Sequence, residues 1–309
     1  MVWFPSKAKS SYAADRLKML TQAAIEGLAY SGLYSMLGLG YYLTYGVLRR
    51  VDLAYGTVAM TAVYLAAMSA NSYGLAWYAV PLVSIAFGLL LANGVSFVAF
   101  DLVRSDLRYS MAATLGIWMA IEELLIQSPA RGRAQPLDNP WQGQIWDFGG
   151  LQVRVDHIVV IVLAGLAMVC IGTFLQRTRQ GLAIRVATFD SETAILLGMS
   201  PSRLRLLATA IAAGAGCLAA WTFSVAQSGI DIHFGMWVTI KGLVILALAG
   251  TERLSLVAAA ALLLGIGERV ATELVGAGLR DLLSYSLILA LLAAEAFHPP
   301  STGGTRRLA

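Results

Sequence analysis

Long apolar stretches without charged side chains recur along the chain and are separated by short polar segments. The longest stretch, residues 53–100, contains no Asp, Glu, Lys, Arg or His, and at roughly 20 residues per span it is long enough for two membrane-crossing helices. Residues 71–74, Asn-Ser-Tyr-Gly, mark the expected turn between these helices. Further charge-free runs of spanning length cover residues 27–48, 158–176 and 206–230.

Four less regular apolar runs complete the pattern, at residues 111–125, 235–251, 254–274 and 282–297. The alternation with a period of two that marks outer-membrane barrel strands is absent, so the runs predict helices. Composition agrees, because 58% of the residues are hydrophobic, 13% are charged and the mean hydropathy is +0.70. We predict an all-α, polytopic membrane protein with a single transmembrane domain over residues 1–309.

The positions of the basic residues predict the orientation of the helices. The polar segment 177–205 carries five arginines and is expected in the cytoplasm, whereas the loop at 127–156 balances three arginines against three aspartates and is expected outside. Nine crossings would then place the N-terminus outside, although it carries four cationic residues: Lys7, Lys9, Arg16 and Lys18. We therefore predict about eight transmembrane helices, with one additional re-entrant or broken helix and a cytoplasmic N-terminus.

Within the polar segment, residues 181–197 predict an amphipathic helix. Its apolar positions recur at one or two helical turns: Leu182, Val186, Phe189, Leu196 and Leu197. Gly198 is placed to end that helix, since glycine adopts left-handed backbone angles at little cost. Ser200 and Pro201 then predict an N-cap and a first-turn proline that begin the following membrane helix.

The residues Glu192-Thr193-Ala194, followed after three positions by Gly198, resemble the E-A-A-x-x-x-G loop in permease subunits of ABC importers. Thr193 stands where that pattern has its first alanine. In that family the short helix is a coupling helix seated in a cleft of the ATPase subunit. A rigid helix joined by a tight turn to a membrane span can convert closure of the ATPase domains into tilting of the span.

Longer stretches resemble the permeases of branched-chain amino acid importers, over roughly residues 37–300. The matching positions near the N-terminus are Leu39, Gly40, Leu43, Tyr45, Gly46, Ala54, Gly56 and Met60, and those in the polar segment are Arg185, Asp190, Ala194, Leu196, Gly198 and Arg203. Asp52 stands where the family often has asparagine and Tyr55 where it has histidine. Permeases of urea and short-amide importers resemble the chain nearly as well, so both solute classes remain open.

The resemblance implies a non-catalytic permease subunit in the bacterial-type inner (plasma) membrane, with ATP hydrolysed by partner subunits. Implied partners are two ATP-binding subunits, a second permease that is the same or a related chain, and an external solute-binding protein. The ATPase-coupling residues would be Arg185, Asp190, Glu192, Ala194 and Gly198. The chain itself shows no P-loop, no metal-ligand motif and no catalytic motif, so no cofactor is expected. Because its basic residues are explained by topology, no nucleic-acid partner is expected.

Polar residues in or near the apolar runs are candidates for the translocation pathway, because an unpaired charge at mid-membrane costs at least roughly 2.5–3.5 kcal/mol. We select Lys241 on this ground, and Asp52 and Tyr55 because they lie inside the family-like stretch. The alternatives are that Asp52 and Tyr55 brace a broken helix and that Lys241 pairs with an acid such as Glu268. The acidic residues also leave open an ion-coupled secondary transporter. Cys170 and Cys217 are expected to be packing residues.

Overall fold

A computed structural model of the chain describes residues 6–102, 107–148, 151–189, 200–251, 253–276, 282, 284–287 and 289–290. The first helices are α1 (Ser6–Leu48), α2 (Tyr55–Tyr73), α3 (Val80–Ser96, followed by the π-helical segment Phe97–Leu102), α4 (Leu107–Gln127) and α5 (Val155–Arg177). They are followed by α6 (Arg179–Phe189), α7 (Pro201–Ala226), α8 (Phe234–Ala249) and α9 (Leu254–Val275). The predicted all-α class is confirmed.

In the described part of the chain, the strands are short and lie in the loops between helices. Strand β1 (Gln135–Pro136) pairs antiparallel with β4 (Gly229–Ile230). Strands β2 (Ile145–Phe148) and β3 (Leu151–Arg154) form a hairpin just before α5. The first pairing ties the α4–α5 loop to the end of α7, so these two connections lie at the same end of the bundle.

The core is built around α1 and α2. Residues 33–44 of α1 and residues 55–64 of α2 are all buried, so these helices are enclosed on every side. A helix buried around its whole circumference lies in the interior of the bundle. The side chains of α1 pack in one apolar cluster with α5, α6, α7, α8 and α9, which separate it from the surroundings.

Five helical segments in the described ranges are long and apolar enough to cross a membrane: Val80–Phe100, Tyr109–Gln127, Val155–Arg177, Ser202–Ala226 and Leu254–Val275. Helix α8 is a shorter apolar helix. The predicted runs at 27–48 and 53–73 are helical as well, and their enclosure in the core explains why they carry more Tyr, Thr and Ser than the outer helices.

Hydrogen bonds show which helix ends lie together at each of the two ends of the bundle. At the face we call outer, Asn71 at the end of α2 donates to the Pro136 carbonyl (3.2 Å). At the opposite, inner face, the Arg49 guanidinium after α1 donates to the Thr188 carbonyl near the end of α6. The predicted external loop and the predicted cytoplasmic segment therefore lie at opposite ends of the bundle.

The start of α1 lies on the outer face. The Gln22 amide donates to the Gln152 carbonyl of β3 (2.7 Å), and Glu26 forms an ion pair with Arg269 near the end of α9. Because α1 is one unbroken helix of 43 residues, its beginning is on the side of the 127–156 loop. The structure thus places the start of α1 and α6 at opposite ends of the bundle, whereas the prediction put the N-terminus and the 177–205 segment on the same, cytoplasmic side. The number of crossing helices stays a prediction.

Candidate functional site

A tight elbow joins α5 to α6 at the inner face. Thr178 is extended between the two helices, and its hydroxyl donates to the Phe174 carbonyl (2.8 Å) and accepts from the Gly181 N–H (2.9 Å). A side chain at Gly181 would overlap the Phe174 carbonyl, so only glycine fits there. This elbow was not predicted from the sequence, although Thr-x-x-Gly directly after a helix end is typical of a capped new helix.

Helix α6 packs through small residues. Its buried positions are Ala183, Ile184, Ala187 and Thr188, whereas the Leu182 side chain is 54% exposed. Leu182, one of the predicted apolar positions, therefore faces away from the bundle, and the buried face consists mostly of small side chains. The reason is a close approach to α1: a Cβ at Gly46 would lie 3.1 Å from the Thr188 side chain, which excludes a bulky residue from this contact.

The connection between α1 and α2 links α6 to the rest of the bundle. Arg49 holds the Thr188 carbonyl, and the neighbouring Arg50 donates to the Ser110 hydroxyl of α4 (2.8 Å). Hydrogen bonds therefore connect α6 to the residue after α1 and, through the next residue, to α4.

Only part of the predicted coupling set lies in the described residues. Arg185 lies on α6 and is exposed. Asp190, Glu192, Ala194 and Gly198 lie outside the described residues. Helix α7 begins at Pro201 with an extended Ser200 before it, as predicted. The Ser200 hydroxyl, however, has no hydrogen-bond partner among the described residues.

Tyr55 joins the start of α2 to two other helices. Its ring packs edge-on against Tyr41 with 4.7 Å between centroids, and its hydroxyl donates to the Ala212 carbonyl of α7 (3.2 Å). Gly40 and Gly216 make room for this hydroxyl, since a Cβ at Gly40 would overlap it and one at Gly216 would lie 2.7 Å away. Tyr55 therefore acts as a buried clamp between α1 and α7.

Asp52 lies in the irregular connection just before α2 and is partly buried. Its carboxylate accepts from the Ala54 N–H (2.9 Å), which satisfies a free donor at the start of the helix. Its carbonyl accepts from the Tyr41 hydroxyl (2.8 Å), so the connection folds back beside α1. Farther along, Gly56 donates to the Thr239 hydroxyl of α8 (3.2 Å).

Lys241 on α8 is completely buried and forms an ion pair with Glu268 on α9. Its ammonium also donates to the Ser284 hydroxyl (2.6 Å) and lies 5.5 Å from the Trp237 ring centroid. Glu268 accepts a further bond from the Tyr34 hydroxyl of α1 (2.5 Å). The pairing of Lys241 with Glu268 suggested by the sequence is confirmed, and we call these four polar residues the buried cluster: Tyr34, Lys241, Glu268 and Ser284.

The two cysteines differ. Cys217 is buried against Gly88, as expected of a packing residue, whereas Cys170 is exposed on α5. Cys170 is therefore a surface residue of this chain, contrary to prediction. In the described ranges no group of three or more His, Cys, Asp or Glu side chains is arranged to hold a metal ion.

Comparison with known proteins agrees with this architecture. The permease BraD of Pseudomonas aeruginosa is 23% identical over 283 residues, which cover 88% of this chain and 92% of BraD. The permease LivH of Escherichia coli K12 is 23% identical over 296 residues, covering 90% and 94%. Both are described as high-affinity branched-chain amino acid transport system permease proteins.

Among solved structures, PsaBC from Streptococcus pneumoniae in complex with Fab has a similar fold, with a TM-score of 0.50 at 14% identity, covering 89% of this chain and 91% of that one. A family model described as "Branched-chain amino acid transport system / permease component" matches residues 23–292. This match spans most of the chain, from α1 to beyond α9. The chain therefore belongs to the family of branched-chain amino acid transport system permease components.

Proposed function

We propose that this permease is the membrane subunit of an ATP-driven importer for branched-chain amino acids in a bacterial inner membrane. The family match over residues 23–292 carries the proposal. It is supported by relatives with that transport function that align over nine-tenths of the chain. A urea or short-amide importer is the alternative.

The proposed assembly contains two ATP-binding subunits, a second permease that is identical or related, and an external solute-binding protein. The ATPase subunits engage the inner face at the segment 177–205. Arg185, Asp190, Glu192, Ala194 and Gly198 form the coupling contact, and ATP is hydrolysed by the partner subunits rather than by this chain.

Under this proposal, movement of the ATPase subunits reaches the permease through two helices, α6 and α7. The elbow at Thr178 and Gly181 keeps α6 rigidly attached to α5, and the Arg49 contact attaches it to α1. On the other side of the coupling segment, Pro201 begins α7 directly, so a displaced segment tilts that span. The Tyr55 clamp then carries motion of α7 to α1 and α2.

Asp52, Tyr55 and Lys241 remain our candidates for the pathway. Their geometry supports a bracing role first: Asp52 caps α2, Tyr55 clamps two helices and Lys241 is neutralised by Glu268. We propose that they affect the pathway by holding α2 and α8, which are joined by the hydrogen bond from Gly56 to Thr239.

Reconstitution tests the proposal. Proteoliposomes containing the permease with its partner permease, ATPase subunits and binding protein are expected to accumulate labelled leucine only with ATP inside, and unlabelled valine or isoleucine is expected to compete. If urea or acetamide competed instead, the imported solute would be urea or a short amide. Uptake by the permease alone that an uncoupler abolishes would contradict it in favour of an ion-coupled transporter.

A further inference from the structure

A cavity of about 780 Å³ opens near the inner face between α1, α5, α6 and the start of α9. Its deeper wall is apolar and includes Met168 and Val169 of α5 and Ala258 of α9. Its rim is polar and carries two cations, Arg185 and Arg253. The cavity therefore has one charged end and one apolar end.

Within the described residues, no acidic side chain lines the charged end. Both guanidinium groups belong to exposed residues, and neither forms an ion pair or a hydrogen bond with any other residue in the described ranges. Arg253 directly precedes α9, whose first N–H groups add a positive helix end to the same rim. Two arginines with free donors match the oxygens of a phosphate group, which guanidinium binds through paired hydrogen bonds.

The apolar end continues along the surface of a membrane helix. From Gln176 at the rim to Val169 is two turns of α5, or about 10 Å along the helix. Val169 is 63% exposed and continues an exposed apolar stripe with Val162 and Leu166. Such a slot between two spans, below a cationic rim, fits a hydrocarbon chain attached to an anionic group better than it fits a soluble anion.

We propose that this cavity binds one anionic glycerophospholipid of the inner-face leaflet when no ATPase subunit engages Arg185, with its phosphate between Arg185 and Arg253 and an acyl chain along α5. Bound lipid would bridge α6, which is part of the coupling segment, to the start of α9. The site is independent of the imported solute. A second permease copy or an ATPase subunit would be the other occupants of this surface.

The test uses the full-length permease in a mild detergent, with thermal unfolding followed during titration of phosphatidylglycerol or phosphatidylcholine. Phosphatidylglycerol is expected to raise the Tm and phosphatidylcholine is not, because a ligand that binds the folded state stabilises it. Arg253→Gln is expected to raise the half-saturating concentration about tenfold through loss of a charge-assisted bond. Arg179→Gln removes an exposed cation of the same face outside the cavity and is the matched control, expected to leave the titration unchanged.

Two further experiments distinguish a bound lipid from the other possible occupants of the cavity. Gly172→Leu places a bulky side chain in the slot beside Leu254 and keeps both arginines, and it is also expected to weaken the phosphatidylglycerol effect. Glycerol 3-phosphate, which lacks acyl chains, is expected to give no shift. An equal shift with both lipids, equal effects of Arg253→Gln and Arg179→Gln, or a full shift with glycerol 3-phosphate would overturn the proposal. Efficient disulfide-linked permease dimers through Thr173→Cys in a Cys170→Ser background would overturn it in favour of a second copy.

Discussion

The α5–α6 elbow at the inner face and the buried cluster deep in the bundle both rely on polar side chains, but they use them differently. At the elbow, Thr178 donates one hydrogen bond and accepts another, Arg49 donates to the far end of α6, and only one face of this helix is buried. In the buried cluster, Lys241 and Glu268 are almost completely buried and each forms more than one polar contact with other helices.

We expect this difference to separate the parts that move during transport from the parts that stay fixed. A fully satisfied ion pair in the bundle fixes how α1, α8 and α9 pack, because opening it would leave charges without partners. The elbow is held by the two hydrogen bonds of Thr178 and by the close approach of Gly181 to the Phe174 carbonyl, which set the direction of α6. Variants in the buried cluster should therefore reduce stability first, whereas variants in the elbow should reduce uptake first.

The largest effect is expected from breaking the ion pair of the buried cluster. Lys241→Met leaves the Glu268 carboxylate without its cation and should destabilise the permease by about 3–5 kcal/mol, measured as unfolding in detergent. The double variant Lys241→Met, Glu268→Leu should recover much of this loss. If the double variant folds and still imports leucine, Lys241 has a structural role; if it folds but uptake is lost, Lys241 belongs to the pathway.

A smaller loss is expected at the Tyr55 clamp. Gly40→Ala places a methyl group against the Tyr55 hydroxyl and should cost about 1–3 kcal/mol. Tyr55→Phe removes the hydroxyl and its bond to the Ala212 carbonyl, at about 1 kcal/mol. The double variant should lose less than the sum, because the clash and the bond involve the same atom. Additive losses in thermal unfolding would show that Tyr55 does not clamp these helices.

At the elbow, the effect on uptake should exceed the effect on stability. Gly181→Ala forces α6 away from the Phe174 carbonyl, so we expect ATP-driven uptake to fall at least about fivefold with a loss of only about 1–3 kcal/mol in stability. Gly165→Ala, at a helical glycine of α5 with open space around it, is the control. Normal uptake by the Gly181→Ala permease would remove the elbow from the coupling mechanism.

The smallest change is expected at Asp52. Asp52→Asn keeps an oxygen for the Ala54 N–H and removes a partly buried charge, so stability should stay within about 1 kcal/mol or rise. Asp52→Ala loses the helix cap and should cost about 1 kcal/mol. Equal behaviour of the two variants in thermal unfolding would mean that the carboxylate does not cap α2.

The sequence predicted features that depend on the average hydrophobicity of many residues, such as the membrane helices. It missed features that depend on a single contact between helices. The apolar runs located the membrane helices, and the need to neutralise Lys241 suggested Glu268. The buried face of α6 could not be predicted, because the small Ala183 and Ala187 give no amphipathic signal and their burial follows from the close approach of α1. The position of the start of α1, at the opposite end of the bundle from α6, was missed because charge counting does not show that α1 runs unbroken past Gln22.

The central claim is that a partner ATPase engages the permease at α6 and the segment after it. Leu182 on α6 is large, apolar and exposed, which makes it a direct reporter. A photo-cross-linker attached at Leu182→Cys, in a Cys170→Ser background, should label the ATPase subunit in the assembled importer, and the yield should change between ATP-bound and nucleotide-free states. Labelling of lipid alone, in a complex that still imports leucine with ATP, would contradict the account.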